Sequence, residues 1–168
     1  MTRKTCKIIL GSNKRELIKH TASLTVATAL EGDQLSMLRR ENEDETETII
    51  TAIVMNFNNS INVGNKLTTD QAYEITLAII ADYWMLKIDE ILNCFKMAKG
   101  GKYGEIKRLD QPTIMGFLHQ YDTKTKADYF DSRTVTHQRR ERVEDNEPKA
   151  ILLTVKEVQD IEKLTNKK

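Results

Sequence analysis

An all-α chain is what this sequence predicts: an irregular bundle of five to seven helices with a long charged helix toward its C-terminal end. Three observations predict it. Apolar residues recur at helical spacing, most clearly at Ile49, Ile50, Ile53, Val54 and Phe57. Only 7 Gly and 2 Pro punctuate 168 residues, too few for the turns of an all-β chain. The punctuation that exists falls where helices start or stop, with Pro112 just behind Asp110 and with Gly100-Gly101 after an apolar run.

Taken in order, Asn13 with Glu16 has the form of a capping box, and Leu17, Ile18, Leu24, Val26, Ala27 and Leu30 suit one helix from Asn13 to Leu30. Gly32 and Asp33 interrupt, and Gln34 to Arg40 predicts a short helix. The acidic run Glu41 to Glu47 reads as a solvated helix start, where carboxylates complement the positive end of the dipole; metal binding or an acidic partner patch are its alternatives. The stripe from Ile49 to Phe57 continues that helix until Asn58 to Asn65, with Gly64 placed for a turn. Thr69 or Asp70 then caps a helix through Ile75, Leu77, Ala78, Ile80, Ala81 and Trp84, the most apolar stretch and the expected central core. After a turn near Met85 to Ile88, Asp89 is the next N-cap candidate, for a helix carrying Ile91, Leu92, Phe95 and Ala98.

An irregular segment, Lys102 to Leu109, leads to Asp110 and Pro112 as a helix start, with Ile114, Phe117, Leu118 and Tyr121 on the buried face. Beyond Tyr121 apolar residues thin out and Arg133 to Arg142 is highly charged, which predicts an exposed helix ending by Asn146 to Pro148. The last segment, 147–168, reads as a short strand at Ala150 to Val155 or as a peripheral helix on Val155, Val158, Ile161 and Leu164. One helical domain over 1–146, with its core at about 47–121, is the expected organisation.

Composition excludes several classes of function. Lys plus Arg (26) nearly cancel Asp plus Glu (25), for a net charge of +1, so a uniformly basic nucleic-acid coat is ruled out while a local basic face is not. Only Ile8 to Leu10 follow the basic N-terminus, too few for a signal-peptide core, and no stretch reaches the roughly 20 apolar residues of a membrane span. A soluble intracellular protein, with no membrane partner, is the expectation. Cys6 and Cys94 read as reduced, partly buried thiols in preference to one disulfide. No phosphate-binding glycine loop, zinc spacing or nucleophile elbow is present. His20, His119 and His137 stand apart in sequence, His119 reads as a satisfied structural histidine, and Cys94 beside Phe95 reads as core. Asp82 and Asp89 are the sort of carboxylate pair that charged helix surfaces produce. The chain is therefore expected to be non-enzymatic, with no cofactor and no metal.

The most informative segment is Lys96-Met-Ala-Lys-Gly-Gly-Lys-Tyr-Gly-Glu-Ile-Lys-Arg. Five cations, Lys96, Lys99, Lys102, Lys107 and Arg108, flank a glycine-containing connection that holds one aromatic, Tyr103, expected to be exposed. Glycine backbone allows close approach of a phosphate, the cations supply charge, and Tyr103 would stack a base. The alternative is a helix end where lysines offset the dipole and glycine stops the helix. A second basic stripe, Arg133, Arg139, Arg140 and Arg142 with His137, is tempered by Glu141, Glu144 and Asp145 and reads first as a salt-bridged solvent face.

From Leu67 to Tyr121 the order is Asp82-Tyr-Trp-Met-Leu-Lys, then Asp89 with Phe95-Lys-Met-Ala-Lys, Gly101-Lys-Tyr-Gly, Arg108-Leu-Asp, Ile114 and Phe117-Leu. This block, about a third of the chain, resembles small uncharacterised helical proteins of phages and mobile elements of gut bacteria. More loosely, the helix pair, the basic Tyr-containing connection and Pro112-Thr-Ile resemble phage helicase-loader proteins, with Glu105 to Gln111 standing between the aromatic and the proline. The resemblance implies an accessory role in DNA replication. The partners it implies are a replicative helicase or another replication protein, with or without DNA. The contact residues would be Lys96, Lys99, Lys102, Tyr103, Lys107 and Arg108, extended by Arg139, Arg140 and Arg142. The rival expectation is a virion structural or packaged protein, in which the charged helix serves assembly, as an oligomer or otherwise. A helix-turn-helix regulator ranks last, because the helix after Asp110 opens on Pro112, Ile114, Met115 and Phe117 where base-reading side chains would be needed.

Overall fold

The computed structural model describes the backbone of residues 4–11 and 13–146 and the side chains of residues 5–11 and 13–136. The helices are α1 (Lys4–Leu10), α2 (Lys14–Ser23), α3 (Val26–Ala29), α4 (Leu35–Glu41), α5 (Glu43–Ser60), α6 (Thr69–Asp82), α7 (Ile88–Lys99), α8 (Gln111–Gln120) and α9 (Lys126–Asn146). A single π-helical turn, Tyr121–Thr125, joins α8 to α9 without a break, so the described residues form eight separate rods. The fold is all-α, with more rods than the five to seven expected. The C-terminal segment 147–168 lies outside the described residues.

The additional rods have local causes. Lys4 to Leu10 forms α1, where the sequence had shown only three consecutive aliphatics. The expected helix from Asn13 to Leu30 breaks at Leu24-Thr25. There, Thr25 Oγ1 accepts from Thr28 N at 3.2 Å and Thr25 N donates to Thr28 Oγ1 at 2.9 Å, a two-threonine capping box that starts α3 afresh. Threonine competes for backbone hydrogen bonds, so the residues that lower helix propensity here also end the helix.

The chain divides into two compact units, the first ending at Phe130. Of the second, beginning at Asp131, the described part is the helix backbone as far as Asn146 and the side chains as far as Thr136. In the first unit α5 packs against α1, α4, α6 and α7, and α7 also meets α2, α3 and α8. Ile50, Ile53 and Val54 of α5, Ile75 and Ile79 of α6, Ile91 and Phe95 of α7, and Ile114 and Leu118 of α8 are buried together. Each such side chain contributes about 1.5–3 kcal/mol by leaving water. Phe95 stacks on Phe57 at 4.5 Å between ring centroids, and Phe57 meets Phe117 edge-on at 6.3 Å.

Three expectations about the centre need correction. On α6 the buried positions are Ala72, Ile75, Thr76, Ile79 and Ile80. That i, i+3, i+4, i+7, i+8 stripe turns Leu77 outward (43% exposed), and Trp84, beyond the helix end, is 51% exposed. The cap of α6 is Thr68, which shares a capping box with Gln71, in place of Thr69 or Asp70. At α7 the N-cap is Lys87, whose N–H donates to Glu90 Oε2 at 3.0 Å, and Asp89 faces inward from the first turn. The start of α4 needs no side-chain cap. Leu35 N donates to Leu86 O at 2.9 Å and Ser36 N to Trp84 O at 3.0 Å, so the 84–86 backbone takes the N–H groups a cap would satisfy.

Past the end of α7, Gly101 N donates to Ala98 O (3.0 Å) and Lys102 N to Met97 O (3.1 Å), the paired bonds of a Schellman stop. The motif needs a left-handed residue, and Gly101 has φ +81° with open space where a Cβ would sit. Gly101→Ala is therefore expected to destabilise by about 1 kcal/mol through backbone strain alone. Gly116→Ala, inside α8 and equally unobstructed, is expected to stabilise by about 0.5–1 kcal/mol. Urea titration of the two variants reads the difference; equal signs would contradict the assignment.

Candidate functional site

The basic segment folds into a corner formed by the end of α7, the glycine turn and the strand-free connection to α8. Its cations divide into three kinds. Lys96 is half-buried, and its ammonium donates to Ala22 O at 2.9 Å and Leu24 O at 2.6 Å, taking up carbonyls left over where α2 ends. It is a helix-ending contact and leaves the proposed contact surface. Arg108 is exposed, and its Nε lies 2.8 Å from Asp110 Oδ2. Asp110 is held below the usual carboxylate range by hydrogen bonds from Thr113, together with Arg108, and it also caps α8. Lys99, Lys102 and Lys107 are exposed and have no ion-pair partner among the described residues.

Tyr103 corrects the expectation of an exposed stacking platform. Its ring is half-buried and stacks on Phe117 with centroids 6.0 Å apart, and its hydroxyl lies 3.1 Å from Thr125 Oγ1. A ring held on both counts is not offered to a nucleic-acid base. Arg139, Arg140 and Arg142 belong to the backbone of α9, and their side chains lie outside the described residues, as does that of His137.

Below Tyr103 lies a buried polar layer that the sequence did not announce. Glu90, 1% exposed, has Oε1 3.1 Å from Lys126 Nζ, and Lys126 lies 3.0 Å from Asp122 Oδ1. The π turn brings Tyr121 and Thr125 to the interior beside it; such turns shift register by one residue and recur at functional positions. Burial pushes Tyr103 up to about 12 and Tyr121 further, and drives the Cys94 thiol well above its ordinary value. Burial opposes the charge on Lys126, but Asp122 and Glu90 outweigh it, and its pKa is raised.

All four raised values act in one direction. Each stabilises the folded state fully at pH below its unfolded value and loses that stabilisation as pH rises through its folded value. The melting temperature is therefore expected to hold through neutral pH and to fall between about pH 9 and 12, with Tyr103→Phe blunting the fall near the upper end. A thermal melt series across that range checks it; an unchanged melting temperature at the alkaline limit would contradict it.

A second polar cluster ties α1, α2 and α7 together. Thr5 Oγ1 donates to Asp89 Oδ1 at 2.8 Å, and His20 Nε2 lies 2.9 Å from the same oxygen and 3.0 Å from the Thr5 hydroxyl. A nucleophile relay needs the hydroxyl and the carboxylate on different ring nitrogens. Here both meet Nε2, and the hydroxyl already donates to the acid, so the arrangement secures packing and activates nothing. His119, expected to be satisfied in the structure, is exposed. Cys6 and Cys94 are thiols not joined in a disulfide, as expected, and are fully rather than partly buried. Among the described residues no group of three His, Cys, Asp or Glu side chains is placed to hold a metal ion, and no helix is long and apolar enough to cross a membrane.

Beside the lysine corner runs a groove of about 320 Å³ between α2, α5 and α7. Leu17, Ile53, Phe57, Leu92 and Phe95 form its floor, Ile18 its lip, and Lys14, Lys96 and Lys99 its charged rim. A second recess, about 360 Å³, opens on the other side of Lys99, between the end of α5 and the glycine turn. Ser60 and Lys99 line both, so Lys99 joins groove and corner into one continuous surface. The groove was not legible in sequence, although the doublet Leu17-Ile18 on an otherwise charged helix is a signal of it. Comparison with protein-family models, curated proteins and solved structures finds no match to this chain.

Proposed function

We propose that this chain is a non-enzymatic accessory of phage or mobile-element DNA replication. In this reading it acts in the bacterial host cell and binds a replicative helicase or another replication protein through Lys99, Lys102 and Lys107, with Arg108 at the margin. The observation that carries it is those three exposed lysines, unpaired by any described carboxylate, placed around and just beyond the Schellman stop at Gly101. Cations left unpaired next to an apolar groove suit a protein partner, whose encounter they steer and orient. A protein is favoured over DNA because Tyr103 is packed on Phe117, and because a net charge of +1 supplies no broad field for a polyanion. The looser resemblance of the helix pair, the basic connection and Pro112-Thr-Ile to phage helicase loaders is what suggests a replication context.

The test is affinity capture from host cells with nuclease present, read by mass spectrometry, with the parent and the Lys102→Glu/Lys107→Glu variant compared. The expected result is a replication protein enriched at least tenfold by the parent over the variant, with both melting alike. Capture of capsid protein at fixed stoichiometry would favour the virion reading, and equal capture by both forms would remove the lysine corner from the account.

A further inference from the structure

We infer that the groove between α2, α5 and α7 receives an acidic amphipathic helix of the partner protein; this rests on the partner-binding reading above and adds what the partner must present. The floor is built from core side chains that show one edge to the outside, while Ile18 on the lip is 60% exposed. An exposed isoleucine beside an apolar trough supplies the hydrophobic part of a helix-in-groove contact, in which anchors at i and i+3 or i+4 enter the floor. A volume of about 320 Å³ suits a pair of aliphatic anchors.

Charge selects the sign of the occupant. Lys14 stands on α2 and Lys99 on α7, and no described Asp or Glu lines the groove. Cations on both walls match carboxylates flanking both sides of an apolar stripe, which a helix carries and a single-headed fatty acid does not. DNA offers the anions without apolar anchors, so it would leave Ile18 and the floor unused. An acidic helix satisfies floor, lip and rim together.

The test uses the full chain and a labelled designed peptide with leucines along one helical stripe and glutamates beside it, followed by fluorescence anisotropy. A counterpart with lysines for the glutamates and an anionic fatty acid, decanoate, serve as competitors. Expected are binding of the acidic peptide, roughly tenfold weakening by Ile18→Glu and by Lys14→Glu, and no competition from the lysine peptide or decanoate. Ile18 and Lys14 are exposed, so both variants are expected to fold, and circular dichroism verifies it. No binding of the acidic peptide, equal binding of both peptides, displacement by decanoate, or an Ile18→Glu variant that binds as the parent does would overturn the inference. Self-association abolished by Ile18→Glu would overturn it too, by assigning the groove to a second copy. Capture of a replication protein that survives Ile18→Glu but not Lys102→Glu/Lys107→Glu leaves the corner standing and removes the groove. Peptide binding lost in Ile18→Glu without capture of any replication protein does the reverse.

Discussion

Lys126→Met is expected to lower stability by about 3 kcal/mol, enough to drop the melting temperature of a domain this size by roughly 6–12 °C. The cause is what remains behind. Glu90 is buried on α7, with Lys126 3.1 Å from Oε1 and only the Lys87 N–H on Oε2. Removing the cation leaves a carboxylate in a low-dielectric interior, where an unpaired charge costs more than the pair contributed. The companion variant Glu90→Gln in the Lys126→Met background is expected to recover most of the loss, because the uncompensated charge goes. Thermal melts of the single and double variants read this; a single variant as stable as the parent would show that the pair is solvated.

The second large effect is at Phe95. Its ring stacks on Phe57 at 4.5 Å, at the centre of the core and under the groove. Phe95→Ala is expected to cost about 3–5 kcal/mol, combining lost transfer free energy with the cavity left between α5 and α7. Phe95→Leu should cost less than half of that, since it keeps most of the volume. Urea unfolding of the two variants measures the ratio. Similar losses for Ala and Leu would mean that ring stacking, and not volume, holds the site.

Residues whose environment is their own helix were legible in the sequence. The stripe Ile49, Ile50, Ile53, Val54 and Phe57 is buried as its spacing requires, Asp110 caps α8 through Thr113, and Gly100-Gly101 ends α7. What failed depended on contacts between distant segments. Asp89 has the composition of an N-cap, but Thr5 and His20, far away in sequence, give it a buried role. Leu77 and Trp84 belong to an apolar stretch whose composition does not say which face turns inward; the register of α6 on α5 and α8 decides it.

The candidate site shows the same division. Exposure of Lys99, Lys102 and Lys107 followed from their place around a glycine turn. Lys96 and Tyr103 sit in the same segment, yet one is claimed by the end of α2 and the other by Phe117 and Thr125, and no local spacing reveals either partner. Nor does spacing reveal a groove whose walls are as far apart in the chain as Lys14 and Lys99. The fifth cation, Arg108, is paired by Asp110 two residues on, a neighbour that doubles as a helix cap.

The most direct measurement of the central claim is site-specific photo-crosslinking in host cells, with a photoreactive residue placed at Lys102 and, as control, at exposed Glu43 on α5. The account predicts a crosslink to a replication protein from position 102, insensitive to nuclease, and none to that protein from position 43. Crosslinks from position 102 that reach only nucleic acid or capsid protein, or the same adduct from both positions, would contradict it.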